Sequence, residues 1–371
     1  MKITCERSQL QSAFAVAASV APQRSPKPIL QNVKIEATSQ GVVLTATDQE
    51  VGVRVEVPNV EIEMPGSALL PVDRVGLILR ESADTKLRFN ATEKGTTVKG
   101  DRSEFKLPGG NPDEFPPLVA TREERCHVVS VRLFRELVRR TMFATDTESS
   151  RYALAGVLLE FDNESITAVG TDGRRLAKMA GPATSIGDHR SGDTTTIVPT
   201  RAMQLMERAF TDVDGEVRLT TRGNDIVAQS TRVSVVARLV EGRFPRWRDV
   251  FPDRTDAVKI EFAVGPLHAA IRQAAVVASQ DSRGIDFTFG DGSLVLSGST
   301  ANLGQSRVEM PIAYTGTPIT ITLDHRFVSD FLKVLDPERT FTLEIENGEG
   351  AALFQTDDGY GYIVMPLARD Q

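Results

Sequence analysis

The sequence predicts an α+β protein built from three tandem copies of one module, each with antiparallel sheets and two helices. Three observations predict it. A related turn recurs at Leu44-Thr-Ala-Thr47-Asp48, Ala168-Val-Gly-Thr171-Asp172 and Leu296-Ser-Gly-Ser299-Thr300, at spacings of 124 and then 128 residues. A helical segment recurs before that turn and another after it. Related ends recur at Phe115-Pro116, Phe244-Pro245 and Met365-Pro366. Solenoid units repeat every roughly 20–45 residues, so a period this long describes whole domains. Many short alternating strands with few helices per copy indicate sheets that carry helices on one face.

In each copy the first element is a helix, at Ser8–Ala21, Ser130–Thr145 and Gly265–Ser279. Leu10, Phe14 and Ala17 recur at helical spacing in the first. The small apolar residues from Ala13 to Ala21 could pass for a secretory leader, but Glu6, Arg7, Gln9 and Gln11 interrupt the approach, and the repeat needs a helix there. No run is long enough to span a bilayer. In the second copy, Leu133, Phe134, Leu137, Val138, Thr141 and Met142 form one stripe, with Arg132, Arg135, Arg139 and Glu136 on the opposite face. Strands follow. Ser165 to Gly170 alternates β-branched residues, so Thr171 ends a strand and Asp172-Gly173 supplies a turn. The second helix of each copy is expected at Val72–Glu81, Thr200–Phe210 and Asp324–Leu335, the first two introduced by Leu70-Pro71 and Val198-Pro199. Polar linkers at Thr121–Arg125 and Asp253–Asp256 divide the chain into domains 1–125, 126–253 and 254–371. Gly181–Asp193 reads as a polar, glycine-rich, solvent-exposed loop.

Composition narrows the function. Of 371 residues, 43 are basic and 50 acidic, a net charge of −7, which argues against the broad basic field of a typical DNA-binding protein. Positive charge is nevertheless segregated: segment 130–145 carries +3, the six helical segments together +5, and the remainder −12. Cys5 and Cys126 are too few for a disulfide framework or a zinc site, so a reducing, cytoplasmic setting is expected. The four histidines, His127, His189, His268 and His325, show no metal-ligand spacing. There is no phosphate-binding Gly-Lys loop and no nucleophile elbow. Carboxylate pairs such as Asp357-Asp358, or Asp281 with Asp286, read as solvated surface. No catalytic residue, metal or cofactor is expected.

Three stretches in chain order carry a resemblance: Thr171-Asp172-Gly173-Arg174-Arg175-Leu176-Ala177, then Glu241-Gly242-Arg243-Phe244-Pro245, then Tyr362-Ile363-Val364-Met365-Pro366-Leu367. Together, and across the whole chain, they resemble the bacterial sliding-clamp family, the β subunit of DNA polymerase III. The resemblance implies three copies of the DNA-clamp module, sheets outside and helices inside, in a homodimeric ring. It implies a non-catalytic processivity factor that encircles and slides on double-stranded DNA without sequence specificity. Partners implied are the catalytic subunit of DNA polymerase III, the clamp loader, other polymerases and repair proteins, bound through short peptide motifs, with no membrane involved.

Residue roles carry over position by position. Arg24 and Tyr152 match positions that contact DNA, and Arg132, Arg135 and Arg139 are candidates from their helix face, with Arg74 and Arg201 from placement. Asp73 stands where a basic residue is common and Glu148 where a neutral amide is usual, which lowers local positive charge. The groove that accepts partner peptides would comprise Leu154, Thr171, Gly173, Arg175, Leu176, Pro245, Val250, Ile363, Met365 and Pro366, with Leu176 projecting into it. Asp249 replaces a basic residue beside that groove, and Ala368-Arg369-Asp370-Gln371 departs from the family's Arg-Leu ending. Phe105 and Leu107 in the first domain, with Val276 and Val277 in the third, would form the dimer junction. Two other classes are weighed against this reading. A β-rich polysaccharide-acting hydrolase needs two carboxylates converging in a cleft, and a non-catalytic adhesive array needs secretion.

Overall fold

The computed structural model describes residues 1–118, 124–146, 148, 153–190, 195–251, 257–278 and 283–368. Six α-helices lie among the described residues: α1 Arg7–Ala18, α2 Val72–Glu81, α3 Val131–Thr141, α4 Thr200–Ala209, α5 Val264–Ala274 and α6 His325–Lys333. They fall two to a copy. In each copy the pair packs together, and its first helix lies on the hairpin that carries the repeated turn. Leu10, Phe14 and Ala17 of α1, Phe134, Val138 and Thr141 of α3, and Leu267, Ile271 and Ala274 of α5 are buried at equivalent positions. Burying a leucine or phenylalanine side chain contributes about 1.5–3 kcal/mol, which is why the helical period was readable.

Helix ends differ from expectation. α1 stops at Ala18, and α3 and α5 tighten into single 3₁₀ turns, Met142–Ala144 and Ala275–Val277. Ser130 caps α3 by accepting from the Leu133 N–H at 3.2 Å. The basic face of α3 also needs correction. Arg140 is buried, its side chain 7% exposed, and its guanidinium lies 2.8 Å from both Glu136 and Asp358. Asp358 belongs to the third domain, so this arginine ties two domains together.

The sheets cross domain boundaries. A five-stranded sheet of the first domain runs in the order Val60–Met64, Lys2–Glu6, Lys86–Thr92, Gly95–Lys99, Glu104–Pro108. A nine-stranded sheet joins the first and second domains where Val51–Val57 pairs antiparallel with Val233–Arg238, Val53 opposite Val235. An eight-stranded sheet joins the second and third where Arg175–Pro182 pairs with Tyr360–Val364, Ala177 opposite Tyr362. A four-stranded sheet of the third domain begins at Gly304–Pro311. Among the described strands, Glu104–Pro108 has one neighbour, Gly95–Lys99, and Gly304–Pro311 has one, Ser293–Thr300.

The expected loop at Gly181–Asp193 is partly ordered into the sheet. Thr184–Ile186 pairs with Cys126–Val128, and His189 is buried against His127, with 2.7 Å between their Nδ1 atoms. His127 Nε2 donates to the Asp162 carbonyl at 2.5 Å, so its Nδ1 accepts from His189. His189 Nε2 is then left to accept from the Thr221 N–H at 3.4 Å. Residues 191–193 of that stretch, with 121–123 and 253–256 of the expected linkers, lie outside the described residues. No helix among the described residues is long and apolar enough to cross a membrane.

Candidate functional site

The repeated turn is held by its own side chains. Thr171 ends the strand Ser165–Thr171; its hydroxyl donates to the Arg175 carbonyl at 2.6 Å and accepts from the Gly173 N–H at 3.1 Å. Asp172 Oδ1 accepts from the N–H groups of Arg174 and Arg175 at 2.9 and 3.0 Å. The backbone must pass through positive φ between them, and Gly173 does so at 86°, with open space where a Cβ would stand. The first copy makes the same turn. The Thr47 hydroxyl donates to the Val51 carbonyl, Asp48 Oδ1 accepts from Glu50 and Val51, and Gln49 takes φ 81°. Thr-Asp at this position is therefore turn chemistry first.

Arg175 has no counterpart in the first copy, where Val51 stands. Its guanidinium donates to Asp172 at 3.0 Å, to Asp330 at 2.8 Å and to the Phe143 carbonyl at 2.8 Å. It also lies over the Phe327 ring, 4.3 Å from the centroid. Asp330 and Phe327 belong to α6 of the third domain. Burial works against the charge, yet Tyr362, Asp330 and Asp172 push the pKa above the ordinary arginine value. Arg175 acts as a rivet between domains rather than as an open wall.

Beside it lies a compact apolar cluster of Ala153, Leu158, Val169, Leu176, Ile197 and Trp247, with Phe244 and Phe251 against it. Leu154, Thr171, Leu176 and Ile363 are 5%, 3%, 4% and 1% exposed. Leu176 therefore does not project into an open groove as expected. It opposes Ile363 in the ladder between the second and third domains and is sealed by the cluster that holds Trp247. Above this floor, Val250 is 38% and Met365 45% exposed, and Pro245 and Pro366 are half-buried. The Met365 N–H donates to the Arg174 carbonyl at 2.9 Å, which holds the chain's last strand beside the turn. The result is an apolar rim over a packed floor. Such a surface offers apolar contact area. Among the described residues no group of three or more His, Cys, Asp or Glu is placed to hold a metal ion.

Three family models match in chain order: the N-terminal domain of the DNA polymerase III beta subunit over residues 1–119, its central domain over 128–246 and its C-terminal domain over 248–367. The beta sliding clamp of Chlamydia muridarum is 30% identical over 370 residues, covering 99% of each chain. This chain belongs to the bacterial β sliding-clamp family. The beta sliding clamp of Pseudomonas putida is 28% identical over 377 residues, covering 99% of this chain and 100% of its own. The crystal structure of the sliding clamp of Pseudomonas aeruginosa bound to griselimycin aligns over 100% of both chains, with a TM-score of 0.91 at 26% identity. The clamp is a non-catalytic processivity subunit of replication, and neither the hydrolase nor the adhesive array has support.

On the helix side of the clamp, the expected cations are exposed but engaged. Arg132 pairs with Asp214 at 3.1 Å, Arg139 with Glu136 at 2.7 Å and Arg74 with its neighbour Asp73 at 3.5 Å. Half-buried Arg135 pairs with Glu207 at 3.1 Å. Arg201 reaches into the first domain, to Asp48 and to the Val20 carbonyl. The segregated positive charge is thus largely compensated on the spot, which a charge count along the chain could not reveal. Arg24 is exposed, as is Glu148, and Tyr152 lies outside the described residues. Phe105 and Leu107 are half-buried on Glu104–Pro108. Val276, 78% exposed, and half-buried Val277 sit in the 3₁₀ turn packed on Gly304–Pro311.

Several contributors escaped the sequence reading. Trp247 and Phe251 shape the floor and Asp330 the joint beside it, while Asp358, expected as solvated surface, accepts from Arg140 and Arg339 at the domain joint. The chain's single tryptophan, two residues past Phe244-Pro245, was a visible signal. Arg248 donates to both oxygens of Glu160, at 2.9 and 2.8 Å, and lies over the Trp247 ring.

Proposed function

We propose that two copies of this clamp close into a cytoplasmic ring around duplex DNA and tether the replicative polymerase by a peptide seated on the rim of Val250, Met365, Pro245 and Pro366. One observation carries the ring. The two joints inside the chain are built alike, each from strands of matching place in the repeat, and the remaining strands of those two kinds, Glu104–Pro108 and Gly304–Pro311, stand as free edges at the chain's two ends. A twofold pair uses both edges of these two kinds. Phe105 and Leu107 then meet Val276 and Val277. Domain limits of 1–125, 126–253 and 254–371 suit this scheme, because each holds one complete copy of the pairing strands.

Arg24, Arg74, Arg132, Arg135, Arg139, Tyr152 and Arg201 are the DNA-facing candidates. Cations already held by carboxylates present phosphates with a weak, diffuse attraction, which favours sliding over sticking. The clamp loader, other polymerases and repair proteins would share the same rim. The test is retention: once loaded, the clamp should stay on closed circular DNA and leave when the circle is cut. Equal retention on both would sink encirclement.

A further inference from the structure

One side of the peptide rim is held by a bracket of three side chains. Glu160, on the strand Gly156–Phe161, accepts from Arg248 through both oxygens, at 2.9 and 2.8 Å, and its Oε1 also accepts from the Trp247 indole N–H at 3.4 Å. The Arg248 guanidinium lies over the indole, 4.3 Å from the ring centroid. Trp247 and Arg248 open the 3₁₀ turn Trp247–Val250, and the Trp247 N–H donates to the Pro245 carbonyl at 2.8 Å. Two rim residues, Pro245 and Val250, therefore hang on the bracketed pair from either side. Phe251 completes the seat. Its ring meets the indole edge-on at 6.1 Å and lies on Gly361 of the third domain, where a Cβ would stand 2.9 Å from the ring. Gly361 is part of the strand Tyr360–Val364, which runs into Met365 and Pro366 on the other side of the rim.

The repeat supplies an internal control. Glu36 is the counterpart of Glu160 in the first copy, for it faces Val43 as Glu160 faces Thr167, at the offset of 124 residues that relates Thr47 to Thr171. Among the described residues Glu36 pairs instead with Lys34 of its own strand, at 3.1 Å. Leu118, three residues after Phe115, stands where Trp247 stands three after Phe244, and its side chain lies against Gly52 with no polar atom to be held. Of the two joints inside the chain, the bracket is built at the one that carries the apolar rim. The Arg248 side chain is 66% exposed, and ion pairs this open to solvent add little to folding. What such a bracket does well is fix position.

We propose that Glu160 is the positioning residue of the peptide rim, a role that rests on the rim being the seat of an apolar peptide anchor. Through Arg248 and Trp247 it holds Val250 and Pro245 in place before any partner arrives. A seat already in its bound form spares the partner the cost of ordering it, and a seat populated only part of the time binds more weakly by that fraction. Glu160 thus tunes the affinity of every partner that shares the rim while touching none of them.

Trp247 is the chain's single tryptophan, so its emission reads the bracket directly. The experiment uses the full chain, acrylamide quenching of that emission, thermal melting, and stopped-flow binding of fluorescein-labelled Ser-Leu-Ser-Leu-Phe. Glu160→Gln keeps the shape of the side chain and removes its charge. It should raise the quenching constant, weaken the peptide about three- to fivefold, and leave the melting temperature within about 2 °C. The loss should fall on association, with dissociation within about twofold of wild type, because a partly populated seat slows capture and not release. Arg248→Gln, at an exposed position, should do the same, and the two together no more than either alone. Arg248→Lys keeps the charge without the planar fork and should show a smaller loss than Arg248→Gln. Raised quenching with unchanged peptide affinity, a loss carried by faster dissociation, or additive losses in the double variant would overturn the positioning role and leave the peptide rim standing. A peptide that the wild type does not bind, or that Met365→Ala binds as tightly as wild type, would overturn the rim and the role of Glu160 with it.

Discussion

Arg140 of the second domain donates to Asp358 of the third at 2.8 Å, and it does so from a buried position. Arg339 reaches the same carboxylate at 2.9 Å. Burial works against ionising Asp358, but Thr356, Arg140 and Arg339 hold its pKa below the usual carboxylate value. Asp358→Ala leaves Arg140 with Glu136 alone, and should cost about 2–4 kcal/mol in chemical denaturation. A change under about 0.5 kcal/mol would show that the pair does not couple the domains. Its contribution is present above the ordinary aspartate pKa and is lost as pH falls through the depressed folded value.

Leu176 and Met365 should separate stability from binding. Leu176→Ala opens a void in a packed floor and should cost about 2–5 kcal/mol of stability. Met365→Ala, at an exposed position, should leave stability within about 0.5 kcal/mol and weaken a fluorescent peptide with an apolar anchor about tenfold. Melting and peptide titration of both variants in parallel check this. Unchanged affinity for the Met365 variant would move the peptide site elsewhere.

Val276→Asp should make monomers without unfolding them. The side chain is 78% exposed on the protomer, so the charge is solvated until a second copy covers it. Light scattering should show the mass halved with an unchanged melting temperature. A dimer of unaltered affinity would exclude this turn from the junction.

His189 predicts an acid-sensitive second domain. Burial, then His127 and Arg125, pushes its pKa down to about 4 from the ordinary 6.5. The folded imidazole stays neutral while the unfolded chain takes a proton, so this contribution is complete above pH 6.5, falls as pH drops towards 4, and falls no further below that. The loss should be on the order of 3 kcal/mol, since the ring is buried. Thermal melts between pH 8 and pH 4 should show the slope for wild type and a shallower one for His189→Gln. Equal slopes would remove His189 as the cause.

Local pattern made much of this molecule legible. Phe134, Leu137 and Val138 betray α3 because burial follows the helical period, and Thr171-Asp172-Gly173 betrays its turn because the side chains that make it are adjacent. What failed depends on distant partners. Arg140 looks like a surface arginine until Asp358, 218 residues away, is brought to it. Leu176 looks like a groove residue until Ile363 and Trp247 close over it. Thr184–Ile186 looks like loop because its glycine- and serine-rich surroundings have weak strand preference, and pairing with Cys126–Val128 overrides that. Neither charge count nor spacing can foresee that Arg132 finds Asp214 and Arg135 finds Glu207, whereas Arg139 with Glu136 is an i,i+3 pair that spacing does show.

The shared ladders at the domain joints decide how the chain responds to load. Domains strung on peptide linkers swivel freely, but these are joined by five residue pairs at each internal joint, so bending must shear hydrogen bonds. The protomer is therefore a stiff arc, with Arg140, Arg175 and Arg201 bracing its inner bends. Torque applied anywhere along such an arc passes almost undiminished to its two tips, where no peptide bond backs the contact. Elastic energy should collect at the tips first, so a small push at one end can do what unfolding a domain would otherwise require.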